Sequence, residues 1–174
     1  AVAEARGVRR RHVAEVARCI GGKGRSVGAV EACGARRRHI VEAAHCIGVD
    51  GCGGGHVTYQ VAALVDEVVA YDLTPSMVEL LSTQAKQKGW NNVIAQQGAA
   101  EKLPFIDQRF DCVITRYSAH HWQSVAQAMH EIYRVLTQDG KVIIVDILGN
   151  SNPSIDCFFQ TIETIRDLSH VRNY

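Results

Sequence analysis

The sequence lacks the features that mark several common classes of protein. No long apolar segment occurs in its 174 residues, so we expect no membrane span. Its six cysteines are irregularly spaced and include no Cys-x-x-Cys pair, which argues against a structural zinc site. We therefore expect reduced thiols, no bound metal and a cytoplasmic location.

Aromatic residues are absent from the first 50 residues, although that segment is strongly basic. It holds ten lysines and arginines against five acidic residues, whereas the rest of the chain holds nine against thirteen. Arginine triplets at 9–11 and 36–38 could contact phosphates, but no aromatic ring is present there to stack on a base. We expect no nucleic-acid partner.

Glycine is concentrated in one short run, residues 51–56, which read Gly-Cys-Gly-Gly-Gly-His. A short apolar stretch ending in Asp72 follows about 20 residues later. A backbone without side chains can approach a ligand closely, and a carboxylate can accept hydrogen bonds from both hydroxyls of a ribose. Together these features indicate a nucleoside-bearing cofactor on a βαβ unit.

Helices and strands are predicted to alternate after this run. The apolar spacing favours helices near 57–65, 77–88, 125–136 and 155–168, and strands at 67–72, 93–97, 110–115 and 141–147. The second helix is predicted to start at a capping box of Ser76 and Glu79 and to stop at Gly89. Its inward-facing residues are predicted to be Met77, Leu80, Leu81 and Ala85. The order of elements predicts an α/β fold, a Rossmann-like three-layer α/β/α sandwich with a mostly parallel sheet.

These residues resemble the class I S-adenosylmethionine-dependent methyltransferases, in the branch of the ubiquinone and menaquinone C-methyltransferases. The resemblance runs from Gly51 to Tyr174 and rests on the order and spacing of its pieces. They are the glycine run, the strand ending in Tyr71-Asp72, the loop at 98–105, a Phe-Asp-x-Val strand at 110–113 and a Glu-x-x-Arg-Val-Leu helix at 131–136. The resemblance implies methyl transfer from S-adenosylmethionine to a small-molecule acceptor, by C- or O-methylation.

The resemblance also implies roles for individual residues. The backbone of Gly51, Gly53 and Gly55 would contact the methionine half of the cofactor. Asp72 would accept the ribose hydroxyls. Further cofactor contacts would come from Leu73, Met77, Ala100, Glu101 and Arg116.

A base for the acceptor is predicted just beyond the 110–115 strand. His120 is the candidate, because open α/β sheets bind ligands at the carboxyl ends of their strands and imidazole titrates near neutral pH. His121 and Tyr117 share that position, and Trp122 is expected to pack. Two other interpretations stay open: a non-catalytic, truncated methyltransferase-like remnant that binds the cofactor weakly, and an NAD-dependent oxidoreductase.

Three positions depart from the family pattern. The acid usually found two residues before the first glycine is replaced by Val49, with Asp50 one place later. Ala99 stands where a polar residue often contacts adenine. A turn is predicted at 137–140, where Gln-Asp-Gly replaces the usual Pro-Gly-Gly, because Asp-Gly is itself a good turn pair.

Residues 1–47 form an atypical basic segment with an internal repeat. Residues 9–21 recur at 36–48, an offset of 27, but two copies are too few for a repeat architecture. The apolar spacing favours short helices at 12–20 and 39–47, in a segment that is helical or poorly ordered. A tandem duplication or a frame-shifted reading would explain the repeat, and each predicts little cofactor chemistry there.

The cofactor-binding core is predicted over 48–150. Residues 151–174 match the start of the helical insert that covers the substrate in the family, and their apolar stripe comprises Ile155, Phe158, Phe159, Ile162, Ile165 and Leu168. The family has two further strands after this insert. We therefore expect a sheet that is incomplete at its C-terminal end, with an exposed edge that a homodimer would cover.

Overall fold

The computed structural model describes residues 14–16, 39–43 and 56–174, which build one parallel sheet flanked by helices. The described strands are β1 (Ala14–Val16), β2 (His39–Ala43), β3 (Glu67–Asp72), β4 (Val93–Gln97), β5 (Phe110–Arg116) and β6 (Leu136–Val145). The described helices are α1 (His56–Ala62), α2 (Pro75–Gln87), α3 (Val125–Val135) and α4 (Pro153–Arg166), with a 3₁₀ turn at Ala119–His121. The strand order is β1-β6-β5-β2-β3-β4. The predicted α/β class is confirmed.

Two apolar clusters cover the two faces of the sheet. Val69 and Tyr71 of β3 belong to a cluster with residues of α3, whereas Val68 belongs to a second cluster with residues of α1. Successive side chains of a strand point to opposite faces, so α1 and α3 lie on opposite sides of the sheet. A strand buried on both faces is typical of parallel sheets, which explains the unbroken apolar run of β3. The result is the predicted three-layer arrangement.

Two strands replace the helices predicted in the basic segment. Ala14–Val16 pairs with β6, and His39–Ala43 lies between β3 and β5 in the middle of the sheet. Hydrogen-bonded ladders on both sides of β2 outweigh its helical apolar spacing, since tertiary context overrides local propensity. The core sheet therefore includes residues before 48. The other residues of the two predicted helices lie outside the described residues, as does the glycine run 51–55.

The start of α2 differs from the predicted capping box. Thr74 is the N-cap and Pro75 the first helical residue, so Ser76 lies inside the first turn. Proline fits that first position because its missing N–H has no helical partner there. At the other end, Gly89 has a φ of +68° and follows the helix as predicted. Leu81 and Ala85 are buried as predicted, but Leu80 is 38% exposed.

The turn predicted at 137–140 lies within β6. Phe110 pairs with Leu136 and Cys112 pairs with Lys141, so two steps along β5 correspond to five along β6. The extra residues form a bulge at the beginning of the strand. Lys141 to Val145 then pair regularly, and Asp146 follows directly after the strand.

The edge of the sheet that was expected to be exposed is paired in part. No strand follows β6 within residues 146–174, but β1 pairs with residues 142–144 of β6 along this edge. α4 begins at Pro153 and is capped by Asn152, whose side chain accepts hydrogen bonds from the backbone of Ser154 and Ile155. Within the described part of the chain, no helix is long and apolar enough to cross a membrane.

Candidate active site

An open cavity of about 120 Å³ lies beside the carboxyl ends of β3, β4 and β5. Its lining residues are Tyr71, Leu73, Gly98, Ala99, Ala100, Glu101, Ser118, His121, Trp122 and Gln123. Ligands of open α/β sheets bind at this end of the strands.

The cavity brings together only some of the residues predicted for the site. Leu73, Ala100 and Glu101 line it. Asp72 directly precedes Leu73 at the end of β3, Met77 lies in the first turn of α2, and Arg116 ends β5, but none of these three lines the cavity. His120 lies behind His121 rather than on the wall. Gly51, Gly53 and Gly55 lie outside the described residues.

Asp72 is a buried carboxylate, 3% exposed, at the end of a central strand. One of its oxygens, Oδ1, accepts a hydrogen bond of 2.7 Å from the backbone N–H of Thr74. Burial raises the pKa of Asp72, since desolvation disfavours the charged form, while the hydrogen bonds from Thr74 act in the opposite direction. An ionised carboxylate has more acceptor sites than this contact uses. Donors from a diol would therefore be accommodated here.

The loop after β4 approaches β3 closely at Gly98. A Cβ atom at this position would lie 1.7 Å from the hydroxyl oxygen of Tyr71, so a larger residue does not fit. The Tyr71 hydroxyl lies 3.5 Å from the carbonyl oxygen of Ala99 and 3.4 Å from that of Lys102. Apart from its place in the predicted elements, neither residue was expected at the site. An aromatic residue at the end of one strand and a glycine just after the next are the only signal for this pair in the sequence.

Glu101 connects the cavity wall to the beginning of α3. Its Oε1 atom accepts hydrogen bonds of 2.8 Å from the backbone N–H of Gln123 and 3.2 Å from that of Ser124, the N-cap residue. A carboxylate at a helix N-terminus also interacts favourably with the helix dipole. Glu101 thus has a structural role in addition to its place in the cavity.

Asp146 organises the turn that follows β5. Its Oδ2 atom accepts hydrogen bonds from the backbone of Ser118 (3.0 Å) and Ala119 (2.7 Å), and its Oδ1 atom lies 2.5 Å from Nδ1 of His120. Burial alone would raise the pKa of Asp146, but the hydrogen bond and the charge of His120 hold it below its ordinary value. Asp146 is not among the predicted site residues.

The same turn contains a strained residue and a packed indole. Tyr117 has a φ of +51°, which side-chain-bearing residues rarely adopt, and the Arg116 guanidinium carbon lies 4.4 Å from its ring centre. Trp122 is 5% exposed and donates to the Ser118 hydroxyl. The predicted packing role of Trp122 is confirmed.

Three histidines form a cluster, and one of them, His121, lines the cavity. The ring of His120 lies 4.1 Å from that of His121 and 5.5 Å from that of His170. The Nδ1 atom of His121 lies 3.0 Å from the Ser169 hydroxyl. Burial, followed by the charge of His120, lowers the pKa values of His121 and His170. The backbone N–H groups of Val171 and Arg172 donate to the carbonyl of His120, so the segment after α4 is fastened to this turn.

The histidine cluster does not form a metal centre. Among the residues that the structure describes, no group of three or more histidine, cysteine or acidic side chains is arranged to hold a metal ion.

Comparison with known proteins identifies the family. The family described as "Methyltransferase domain" matches residues 49–144. The YafE protein of Escherichia coli (strain K12) is 44% identical over 120 residues, which are 69% of this chain and 58% of that protein. The uncharacterised methyltransferase YcgJ of Bacillus subtilis (strain 168) is 43% identical over 122 residues, 70% of this chain and 48% of that protein.

Structure and a further sequence agree with this assignment. The crystal structure of YcgJ superposes with a TM-score of 0.75 at 39% identity, covering 86% of this chain and 62% of that one. A ubiquinone/menaquinone biosynthesis C-methyltransferase, UbiE of Blochmanniella pennsylvanica (strain BPEN), is 37% identical over 98 residues, 54% of this chain and 39% of that protein. The chain therefore spans about half to three-fifths of the length of the first two relatives.

S-adenosylmethionine fits the residues present. The buried carboxylate of Asp72 retains acceptor capacity for a ribose, and the adjoining wall from Leu73 to the 98–101 loop offers apolar surface to a flat base. The family match covers more than half of the chain, and the fold and the relatives agree with it. The chain therefore belongs to the S-adenosylmethionine-dependent methyltransferase domain family.

Proposed function

We propose that this chain transfers the methyl group of S-adenosylmethionine to a carbon or oxygen nucleophile of a small molecule. The observation that carries the proposal is the cavity beside the carboxyl ends of β3 to β5, together with the buried carboxylate of Asp72, the residue before Leu73 of the cavity wall. Methyl transfer is the chemistry in the names of the relatives YcgJ and UbiE.

Different residues would bind different parts of the cofactor. Asp72 would accept the two ribose hydroxyls, and Leu73 and Ala100 would contact the adenine. The remaining cofactor contacts are assigned to Gly51, Gly53, Gly55, Met77, Glu101 and Arg116. When bound, the cofactor supplies a methyl group that is already electrophilic, so the protein mainly aligns the acceptor and excludes water.

His120 is the proposed base for an acceptor that must lose a proton. The Oδ1 atom of Asp146 lies 2.5 Å from Nδ1 of this histidine, which orients the ring. The ring of His120 lies 4.1 Å from that of His121. His121 lies on the cavity wall, but its Nδ1 atom is engaged by Ser169.

Cofactor binding is the first test. We expect the purified chain to bind S-adenosylmethionine in titration calorimetry, and Asp72→Asn to bind it about 10- to 100-fold more weakly, since hydrogen bonds to a charged group are lost. Asp66→Asn is the matched control, because Asp66 is exposed in the turn before β3. Binding of NADH in place of S-adenosylmethionine would instead favour the oxidoreductase interpretation.

Turnover is the second test, and it separates an enzyme from a remnant that only binds. We expect S-adenosylhomocysteine to form when a small-molecule extract is supplied as the source of acceptors. His120→Ala should slow its formation without weakening cofactor binding, whereas the exposed His130→Ala should change neither. Cofactor binding without any S-adenosylhomocysteine would mean that the chain is a non-catalytic binder.

A further inference from the structure

Arg116 and Asp72 occupy equivalent positions at the carboxyl ends of β5 and β3. Tyr71 of β3 and Thr115 of β5 both pair with Ala43 of β2, so these three residues form one row across the sheet. Asp72 and Arg116 each come one residue later, at the last position of their strands. Side chains alternate along a strand, so both point to the face of the sheet that α1 covers. Neighbouring strands lie about 4.8 Å apart, which places the two residues about 10 Å from each other along this edge.

The same edge contains the point where the strand order of the sheet reverses. From β2 the order continues to β3 and β4 on one side, whereas β5 and β6 lie on the other side, so the reversal falls between β2 and β5. Open α/β sheets bind their ligands in the crevice at such a point. Arg116, at the carboxyl end of β5, therefore lies where a bound ligand is expected.

The Arg116 side chain stacks on the ring of Tyr117. Its guanidinium carbon lies 4.4 Å from the ring centre. Stacking uses the flat face of the guanidinium, so the N–H groups at its edge stay directed outward in a planar fork that matches a carboxylate. Arg116 is half-buried, and no carboxylate among the residues that the structure describes forms an ion pair with it. The arrangement suits a carboxylate that comes from a ligand.

The backbone of Tyr117 is held in its unusual conformation by its neighbours. The φ of +51° is accompanied by a hydrogen bond of 2.8 Å from its N–H group to the carbonyl of Val145. The next N–H group, that of Ser118, donates to Asp146. Strained residues cluster at ligand-binding sites and persist where the surrounding structure enforces them. The turn therefore presents a fixed ring against which Arg116 lies.

We propose that Arg116 binds the α-carboxylate of the methionine half of S-adenosylmethionine, and that the Tyr117 ring positions it. The inference rests on the proposed function, which assigns the ribose to Asp72. The proposed contacts of the base, Leu73 and Ala100, follow β3 and β4, so the amino-acid arm extends from the ribose in the other direction, towards β2 and β5. An extended arm can cover the distance between Asp72 and Arg116.

Titration calorimetry with two ligands that differ only in this carboxylate tests the inference. Decarboxylated S-adenosylmethionine keeps the amine, the sulfonium and the nucleoside. We expect the unaltered chain to bind S-adenosylmethionine at least about 10-fold more tightly than the decarboxylated compound, the scale of hydrogen bonds to a charged group. In Arg116→Gln this preference should fall to within about 2-fold, because only the binding of S-adenosylmethionine weakens. Arg116→Lys should keep part of the preference, since an ammonium group has the charge but not the planar fork.

Substitutions of a second arginine and of the stacked ring provide the controls. Arg109→Gln should leave the preference unchanged, because Arg109 also lies near aromatic rings, those of Phe105 and Phe110, but precedes β5 at its amino end. Tyr117→Phe should retain the preference, since it keeps the ring. Tyr117→Asn should lower the preference, because asparagine tolerates a positive φ but has no ring for Arg116 to stack on.

Circular dichroism shows whether each variant is folded, and Arg116→Lys gives the same comparison if the glutamine variant is not. The inference is overturned if Arg116→Gln binds S-adenosylmethionine as tightly as the unaltered chain, or if it weakens the binding of both ligands equally. Cofactor binding by the unaltered chain would then still support the proposed function. If the unaltered chain binds neither ligand, the proposed function is wrong and this inference is overturned with it.

Discussion

At the scale of single residues, the Tyr71 hydroxyl fills the space that a side chain at position 98 would need. The predicted Cβ of an alanine at 98 lies 1.7 Å from the hydroxyl oxygen and 2.5 Å from the ring carbon that bears it. We expect Gly98→Ala to lower the free energy of unfolding by about 1–3 kcal/mol, the usual cost of overpacking. Urea denaturation measures it.

A double-mutant cycle separates this clash from a general effect on the loop. Tyr71→Phe removes the nearest atom but leaves the ring, so Gly98→Ala should cost less in a Tyr71→Phe background. Equal costs in both backgrounds would show that Tyr71 is not the cause.

The sequence located part of the candidate site and not the rest, for reasons that differ from residue to residue. Leu73, Ala100 and Glu101 follow strand ends, and parallel strands place those ends at one edge of the sheet. The hydrogen bonds of Asp146 to the turn at 118–120 join positions almost 30 residues apart, and no local pattern encodes them. The roles of Asp72 and His120 stay predictions.

At the scale of elements, the cap of α4 should control how well that helix is formed. The side chain of Asn152 accepts from the backbone N–H groups of Ser154 (3.0 Å) and Ile155 (3.4 Å), two of the donors that have no partner within the helix. We expect Asn152→Ala to lower the free energy of unfolding by about 1 kcal/mol. Thermal unfolding by circular dichroism measures it.

Ser151→Ala provides the comparison for this cap. Ser151 is the exposed neighbour of Asn152 and precedes the cap position, so its substitution should change little. Equal destabilisation by the two substitutions would exclude the cap as the cause.

Elements with a strong local pattern were predicted well, and those defined by distant pairing were not. The boundaries of β3 and β4 agree with the prediction because their short apolar runs are flanked by turn residues. β2 was predicted as a helix, since its ladders with β3 and β5 come from residues far along the chain. The bulge in β6 likewise depends on its pairing with β5.

At the scale of the whole molecule, the histidine cluster makes stability depend on pH. Burial lowers the pKa values of His121 and His170 below the ordinary value of 6.5. The unfolded chain then binds more protons than the folded one as the pH falls below about 6.5. We therefore expect the melting temperature to fall as the pH is lowered from about 7.5 to about 5.5, because the stabilisation that is present above the histidine pKa of the unfolded chain is lost.

Single substitutions test the source of this pH dependence. His170→Gln removes one of the two groups, so it should make the fall in melting temperature clearly smaller. His130→Asn changes an exposed histidine of α3 and should leave the fall in melting temperature unchanged. If neither His170→Gln nor His121→Asn changes how the melting temperature depends on pH, other groups cause this dependence. Asp146 contributes only at much lower pH, because its pKa is held below 3.8.

The Glu101 carboxylate accepts two backbone hydrogen bonds at the start of α3, and these bonds can report on the cavity. The amide protons of Gln123 and Ser124 exchange with solvent only when the carboxylate releases them. A molecule that settles against the 98–101 loop holds the carboxylate in place and lengthens the lifetime of both protons. Deuterium uptake at these two amides would thus register an occupant of the cavity.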